Sequence, residues 1–153
     1  MRRLAVLRGA ASLLLNHQEH EEHQGPPRGG ADLDAIGREV VDAGLAVHRA
    51  LGPGLLESVY EACLERELRL RGLAVARQVV APIDYKGQRI EGAYRLDLLV
   101  SDAVIVEVKA VEALSRLHEA QILTYLKLSG RKLGFLMNFN VPLFKQGVRR
   151  FAN

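Results

Sequence analysis

Residues 95–110, RLDLLVSDAVIVEVKA, read as two short strands joined by a tight turn, yet they carry Asp97, Glu107 and Lys109. SDA at 101–103 supplies the turn, and AVIVEV is the β-branched run of a strand sealed from water. Side chains alternate along a strand, so this reading places Asp97 with Leu99 on one face and Leu96, Leu98 and Val100 on the other. In the next strand Ile105, Glu107 and Lys109 share a face opposite Val104, Val106 and Val108. Each strand then has one wholly apolar face and one that turns charged, and the turn makes them neighbours. An unpaired buried carboxylate costs several kcal/mol, and two acids against one lysine leave excess negative charge. Two accounts fit. In one, the sheet end is partly exposed, Lys109 pairs with one acid and water solvates the other. In the other, Asp97 and Glu107 hold a divalent cation, with oxygen ligands suited to Mg²⁺ or Mn²⁺, and Lys109 faces the same space, placed to stabilise charge on a phosphate.

Upstream, LAVARQVVAPIDYKG and QRIEGAYRLDLLVSD are extended runs joined at Lys86-Gly87-Gln88, a hairpin junction. With VIVEVKA they predict a three-strand antiparallel meander. Before it, residues 32–51 place Ile36, Val40, Ala43, Val47 and Leu51 at helical spacing, and GPG at 52–54 ends that helix. LLESVYEACLERELRLRG predicts a second helix stopped at Gly72, with Glu57 at the edge of the apolar stripe of Tyr60, Leu64 and Leu68. A first-turn Glu is also favoured by the helix dipole alone. After the meander, 115–129 predict a third helix in which Gln121 and Tyr125 share a face with Leu117 and Leu128. LGFLMNF at 133–139 reads as a buried strand and GVRRFAN as an edge strand. The order is ααβββαββ, an α/β (mixed α+β) fold whose small central mixed sheet is flanked by helices on both faces.

The 153-residue chain is long enough for one domain with a real core, assigned to 32–153, and residues 1–31 are expected to be a flexible polar tail. His17, His20 and His23 lie in that tail, where their Glu-rich setting favours a polar segment over a metal site. Arg8 interrupts the apolar N-terminal run and no small-residue cleavage site follows, so a cytoplasmic protein is expected, with no membrane span. The lone Cys63 excludes an internal disulfide and falls on an apolar helix side, as a packed thiol would. The net charge of +3 is unremarkable, but from Lys109 to Asn153 eight Lys and Arg stand against two Glu. That balance admits a polyanionic partner or simply a solvated basic face.

An acid on a helix, then Asp, then Glu-x-Lys on adjacent strands, then Gln-x-x-x-Tyr on a helix resembles the PD-(D/E)XK nuclease superfamily. More narrowly, GLLESVY at 54–60, preceded by VHRALGP at 47–53, resembles the GxxExxY protein family, a branch of that superfamily. The resemblance runs from about residue 33 to the C-terminus. It implies a restriction-endonuclease-like core and a divalent-metal-dependent nuclease using Mg²⁺ or Mn²⁺. Asp97, Glu107, the carbonyl of Val108 and Glu57 would serve the metal, Lys109 would be the catalytic lysine, and Gln121 with Tyr125 would support the site. His48 receives no role beyond packing or hydrogen bonding at a helix end. Leu96 stands where the superfamily's nominal motif has proline. The implied partner is nucleic acid, with DNA placed ahead of RNA, and a homodimer is compatible with cutting a duplex. A non-catalytic nucleic-acid-binding scaffold is the alternative. A glycosidase using Asp97 and Glu107 fits less well, given the adjacent Lys109 and no Trp for sugar stacking.

Overall fold

The computed structural model describes residues 30–153, so the proposed tail, with its three histidines, lies outside the described residues up to position 29. Gly30 and Ala31 already belong to the first helix. The elements are α1 (Gly30–Leu51), α2 (Glu57–Leu70), β1 (Val75–Tyr85), β2 (Gln88–Val100), β3 (Val104–Lys109), α3 (Arg116–Ser129), β4 (Leu133–Asn138), a 3₁₀ turn (Phe144–Gln146) and β5 (Val148–Ala152). This is the order read from the sequence. The five strands form one sheet in chain order, antiparallel throughout except for parallel β3–β4. A parallel neighbour requires a crossover, and α3 provides it. Among the described residues no helix is long and apolar enough to cross a membrane.

Local chemistry fixes the joints. Lys86 and Gly87 take φ of 47° and 83°, the left-handed pair of a two-residue hairpin, with Tyr85 opposite Gln88. Ser101 and Asp102 are also left-handed, and Arg131 clamps the Asp102 side chain and carbonyl from beyond α3. Ser115 and His118 form a capping box at the start of α3.

The sheet divides the core in two. Under α1 and α2 lie Val40, Ala43, Val47, Tyr60, Leu64, Leu68 and the β3 residues Val104, Val106 and Val108. Under α3 lie Ile105, Ile122, Leu126 and Leu136. Gly44 allows α1 to sit this close, because a Cβ there would come within 2.4 Å of the Phe144 ring. Cys63 packs partly buried against the first cluster, as expected. Leu51 is an exception on α1, left exposed at its last turn.

The face expected on α3 is corrected. Leu117 and Leu128 are 76% and 47% exposed, and Ile122 with Leu126 faces the sheet. At about 100° per residue, Leu117 and Leu128 lie roughly 120–140° round the helix from Ile122, whereas Gln121 and Tyr125 lie at its border.

Candidate active site at the splayed end of β2 and β3

The β2–β3 ladder runs only from Val100–Val104 to Leu98–Val106. One step further stand Asp97 and Glu107, and there the side chains take over from the backbone. The Asp97 N–H donates to Glu107 Oε1 at 3.2 Å, and the Val108 N–H donates to Asp97 Oδ2 at 2.9 Å. Meanwhile β3 remains paired with β4 as far as Lys109–Asn138, so it is β2 that departs. The two carboxylates occupy the opening.

The alternation expected for β2 fails at this point. Leu98 and Val100 enter the α1–α2 core, but Leu96 joins Leu99 under α3. On β1 the partner residues do likewise: Val75 packs with the first cluster and Val79 with the second. Both strands change face across Gln78 and Asp97, a pair the ladder skips between Arg77–Leu98 and Val79–Leu96. Gln78 has φ of 55°, a conformation that costs a non-glycine residue about 1–3 kcal/mol.

The electrostatics disfavour two bare anions at this point. Burial, followed by the neighbouring Asp97 charge, pushes the Glu107 carboxyl up to about 9. Burial also raises Asp97, against the pull of the Val108 N–H. Lys109 favours the ionised form of both acids. Yet none of the ion pairs among the described residues includes it. The account in which Lys109 directly pairs with one acid is therefore not the arrangement found.

The remaining candidates surround this opening. Glu57, the first residue of α2, accepts the Ala110 N–H at 3.3 Å, just past Lys109. Its approach is set by Tyr60, whose hydroxyl donates to the Gly52 carbonyl at 2.6 Å and accepts the Leu55 N–H at 3.0 Å. Gln121 donates to the Tyr125 hydroxyl at 2.9 Å, and the Tyr125 ring stacks on Tyr94 at 5.2 Å. Tyr125 is raised by burial first and by Glu107 second, which places its phenol in that carboxylate's field. His48 is buried, bonds the Val141 carbonyl through Nε2 at 2.8 Å and tilts against Phe144, so it is a packing and hydrogen-bonding histidine.

Sequence reasoning missed two buried polar residues. Glu61, 6% exposed, accepts from Arg77 Nε at 2.7 Å and Gln78 Nε2 at 2.6 Å, and its charge reaches Asp97. Its position one turn after Glu57, beside Tyr60 and Leu64, was the available signal. Asn138, 1% exposed, exchanges side-chain bonds with the Val111 N–H and carbonyl and so ties down the chain leaving Lys109. As the lone polar side chain of LGFLMNF, a run read as buried, it carried its own signal.

A family model described as the PD-(D/E)XK nuclease superfamily matches residues 34–151. The chain belongs to the PD-(D/E)XK nuclease superfamily. No curated protein and no solved structure matches it. The mixed sheet with helices on both faces is the restriction-endonuclease-like fold of this superfamily. The narrower GxxExxY resemblance rests on residues 47–60.

PD-(D/E)XK nucleases generally use divalent metals. Among the described residues no three His, Cys, Asp or Glu side chains form a ready-made shell. The donor set nevertheless fits a hard cation: two adjacent carboxylates, Glu107 buried and Asp97 half-buried, both disfavoured as bare anions, the arrangement that suits an ion retaining several waters. Glu57 accepts the Ala110 N–H, and among the described residues no group of three such side chains joins it to that pair.

The basic C-terminal third does not make one continuous surface. Arg149 pairs with Glu119 on α3, Arg150 with Asp34 on α1 and Arg131 with Asp102, so its charge is divided between the two faces of the sheet.

Proposed function

We propose that this PD-(D/E)XK protein hydrolyses nucleic-acid phosphodiesters with Mg²⁺ or Mn²⁺, DNA being the first substrate to test. The observation that carries the reading is the exchange at Asp97 and Glu107: two carboxylates fill a gap in the sheet, and among the described residues neither forms an ion pair. A bound divalent cation would supply Lewis acidity and a more acidic water at neutral pH. Asp97 and Glu107 would bind it, with the Val108 carbonyl as a further ligand. Their existing bonds to backbone N–H groups fix both carboxylates before substrate arrives.

Lys109, half-buried and uncommitted to an ion pair among the described residues, would stabilise the negative charge that develops on the phosphate. Glu57 would orient water at the α2 end of the opening. The Gln121–Tyr125 bond would hold the phenol toward Glu107 and limit solvent on the α3 side. Because the basic residues are divided between faces, phosphate contacts would be local and binding salt-dependent. Two copies of the chain would be needed to cut both strands of a duplex in one encounter.

The test is turnover of supercoiled plasmid, single-stranded DNA and RNA with Mg²⁺ or Mn²⁺. Cleavage that stops with a chelator and in Lys109→Ala supports the reading. Binding of all three without turnover would assign the chain to the scaffold class instead.

A further inference from the structure

We infer that Glu61 is a positioning residue: through Arg77 and Gln78 it holds the face change in β1 and β2 that turns Asp97 toward Glu107. The inference rests on the reading of Asp97 and Glu107 as cation ligands. Glu61 gathers two donors onto one oxygen, Arg77 Nε at 2.7 Å and Gln78 Nε2 at 2.6 Å. Arg77 is held further by the Ser58 carbonyl and by Glu65. These contacts tie two consecutive β1 residues to α2 at the point where Gln78 adopts φ of 55°.

A regular β1 would pair Gln78 with Asp97 and continue the alternation, keeping Leu96 on the face of Leu98. Instead the pair is skipped, both strands change face, and the Asp97 N–H donates to Glu107 Oε1. From this conformation the Gln78 side chain reaches α2, where Glu61 accepts its amide N–H. Charge is secondary in this role. What Glu61 contributes is an acceptor oxygen at a fixed place on α2.

Two substitutions separate that role from others. Glu61→Gln keeps the acceptor oxygen and loses the charge, whereas Glu61→Ala loses both. Mn²⁺ affinity by calorimetry should stay within about threefold of wild type in Glu61→Gln and fall at least about tenfold in Glu61→Ala. Gln78→Ala should lower the affinity in the same direction, and adding it to Glu61→Ala should make little further difference, because the Glu61–Gln78 bond is already lost. If Glu61→Gln is as damaging as Glu61→Ala, Glu61 acts by charge or as a ligand, and the inference is overturned. If Glu61→Ala lowers stability but leaves Mn²⁺ affinity intact, Glu61 is only structural, and the inference is again overturned.

Amide exchange at Val108 provides a readout that needs no metal. Its bond to Asp97 should lose protection in Glu61→Ala and keep it in Glu61→Gln, even if wild type binds no Mn²⁺. Unchanged Val108 protection in a folded Glu61→Ala would refute the positioning role. Absent Mn²⁺ binding in wild type would refute only the metal reading.

Discussion

Asp97 and Glu107 each take over a backbone bond that the sheet gives up: Glu107 accepts the Asp97 N–H, and Asp97 accepts the N–H of Val108. The amides of Asp97 and Val108 are thus satisfied by side chains where the strands separate, while among the described residues neither acid forms an ion pair. Stability and chemistry are thereby opposed at one point of the fold, and several measurable consequences arise from that opposition.

The first concerns pH. Glu107 is raised from 4.5 to about 9, and Asp97 is raised with it. Between those values the folded protein retains a proton that the unfolded chain releases, so stability falls as pH rises. In chelator, the urea midpoint should decline from about pH 5 to pH 9. Glu107→Gln should flatten that decline and, at pH 8, match or exceed wild-type stability by about 1–4 kcal/mol while abolishing turnover. Added Mn²⁺ should restore the wild-type midpoint most at the alkaline end. A wild-type profile as flat as that of Glu107→Gln would contradict the raised Glu107 carboxyl.

Lys109 should matter to the chemical step more than to the cation. Lys109→Met is expected to lower kcat by about 10²–10³-fold and to leave Mn²⁺ affinity within about threefold. Single-turnover rates beside calorimetry check both halves.

Tyr60 supports Glu57 through the loop before α2. Tyr60→Phe keeps the ring stacked on Phe139 at 4.7 Å but removes the partner of the Gly52 carbonyl and the Leu55 N–H. A loss of about 1–3 kcal/mol in urea denaturation is expected, with reduced kcat because Glu57 lies two residues beyond Leu55.

Gly147 is constrained by space. A Cβ there would lie 2.0 Å from the Asn138 carbonyl, a backbone atom, and Asn138 also fixes Val111. Gly147→Ala should cost about 3 kcal/mol or more, read as a lowered thermal midpoint or failure to accumulate folded protein.

Much of this was legible in the sequence because local signals agreed. Lys86-Gly87, SDA and Gly72 punctuated the elements, and the β-branched VIVEV announced the central strand. Asp97, Glu107 and Lys109 stood out because charge is conspicuous in such a run. The face of Leu96 was not legible, since alternation assumes a regular strand and the break is imposed from α2 and β1, distant in sequence from Asp97. Glu61 was hidden for the same reason: in ESVYEA it reads as an ordinary helical acid until Arg77 and Gln78 are brought against it. On α3 the leucines misled the assignment of the inner face, because exposed Leu117 and Leu128 carry the same hydropathy as buried Leu126. The basic C-terminal third was counted as one charged region, although alternation along the edge strand read in GVRRFAN already sends Arg149 and Arg150 to opposite sides of the sheet, where they pair with Glu119 and Asp34.

If Asp97 and Glu107 stand outside the ladder to bind a divalent cation, as proposed, cation binding must depend on Asp97. Mn²⁺ titration by calorimetry, comparing wild type with Asp97→Ala, tests it without any choice of substrate. Saturable binding in wild type that disappears in the folded variant is the predicted result. Equal binding by both proteins, or none by folded wild type at millimolar Mn²⁺ even with a short DNA duplex or RNA present, would contradict it.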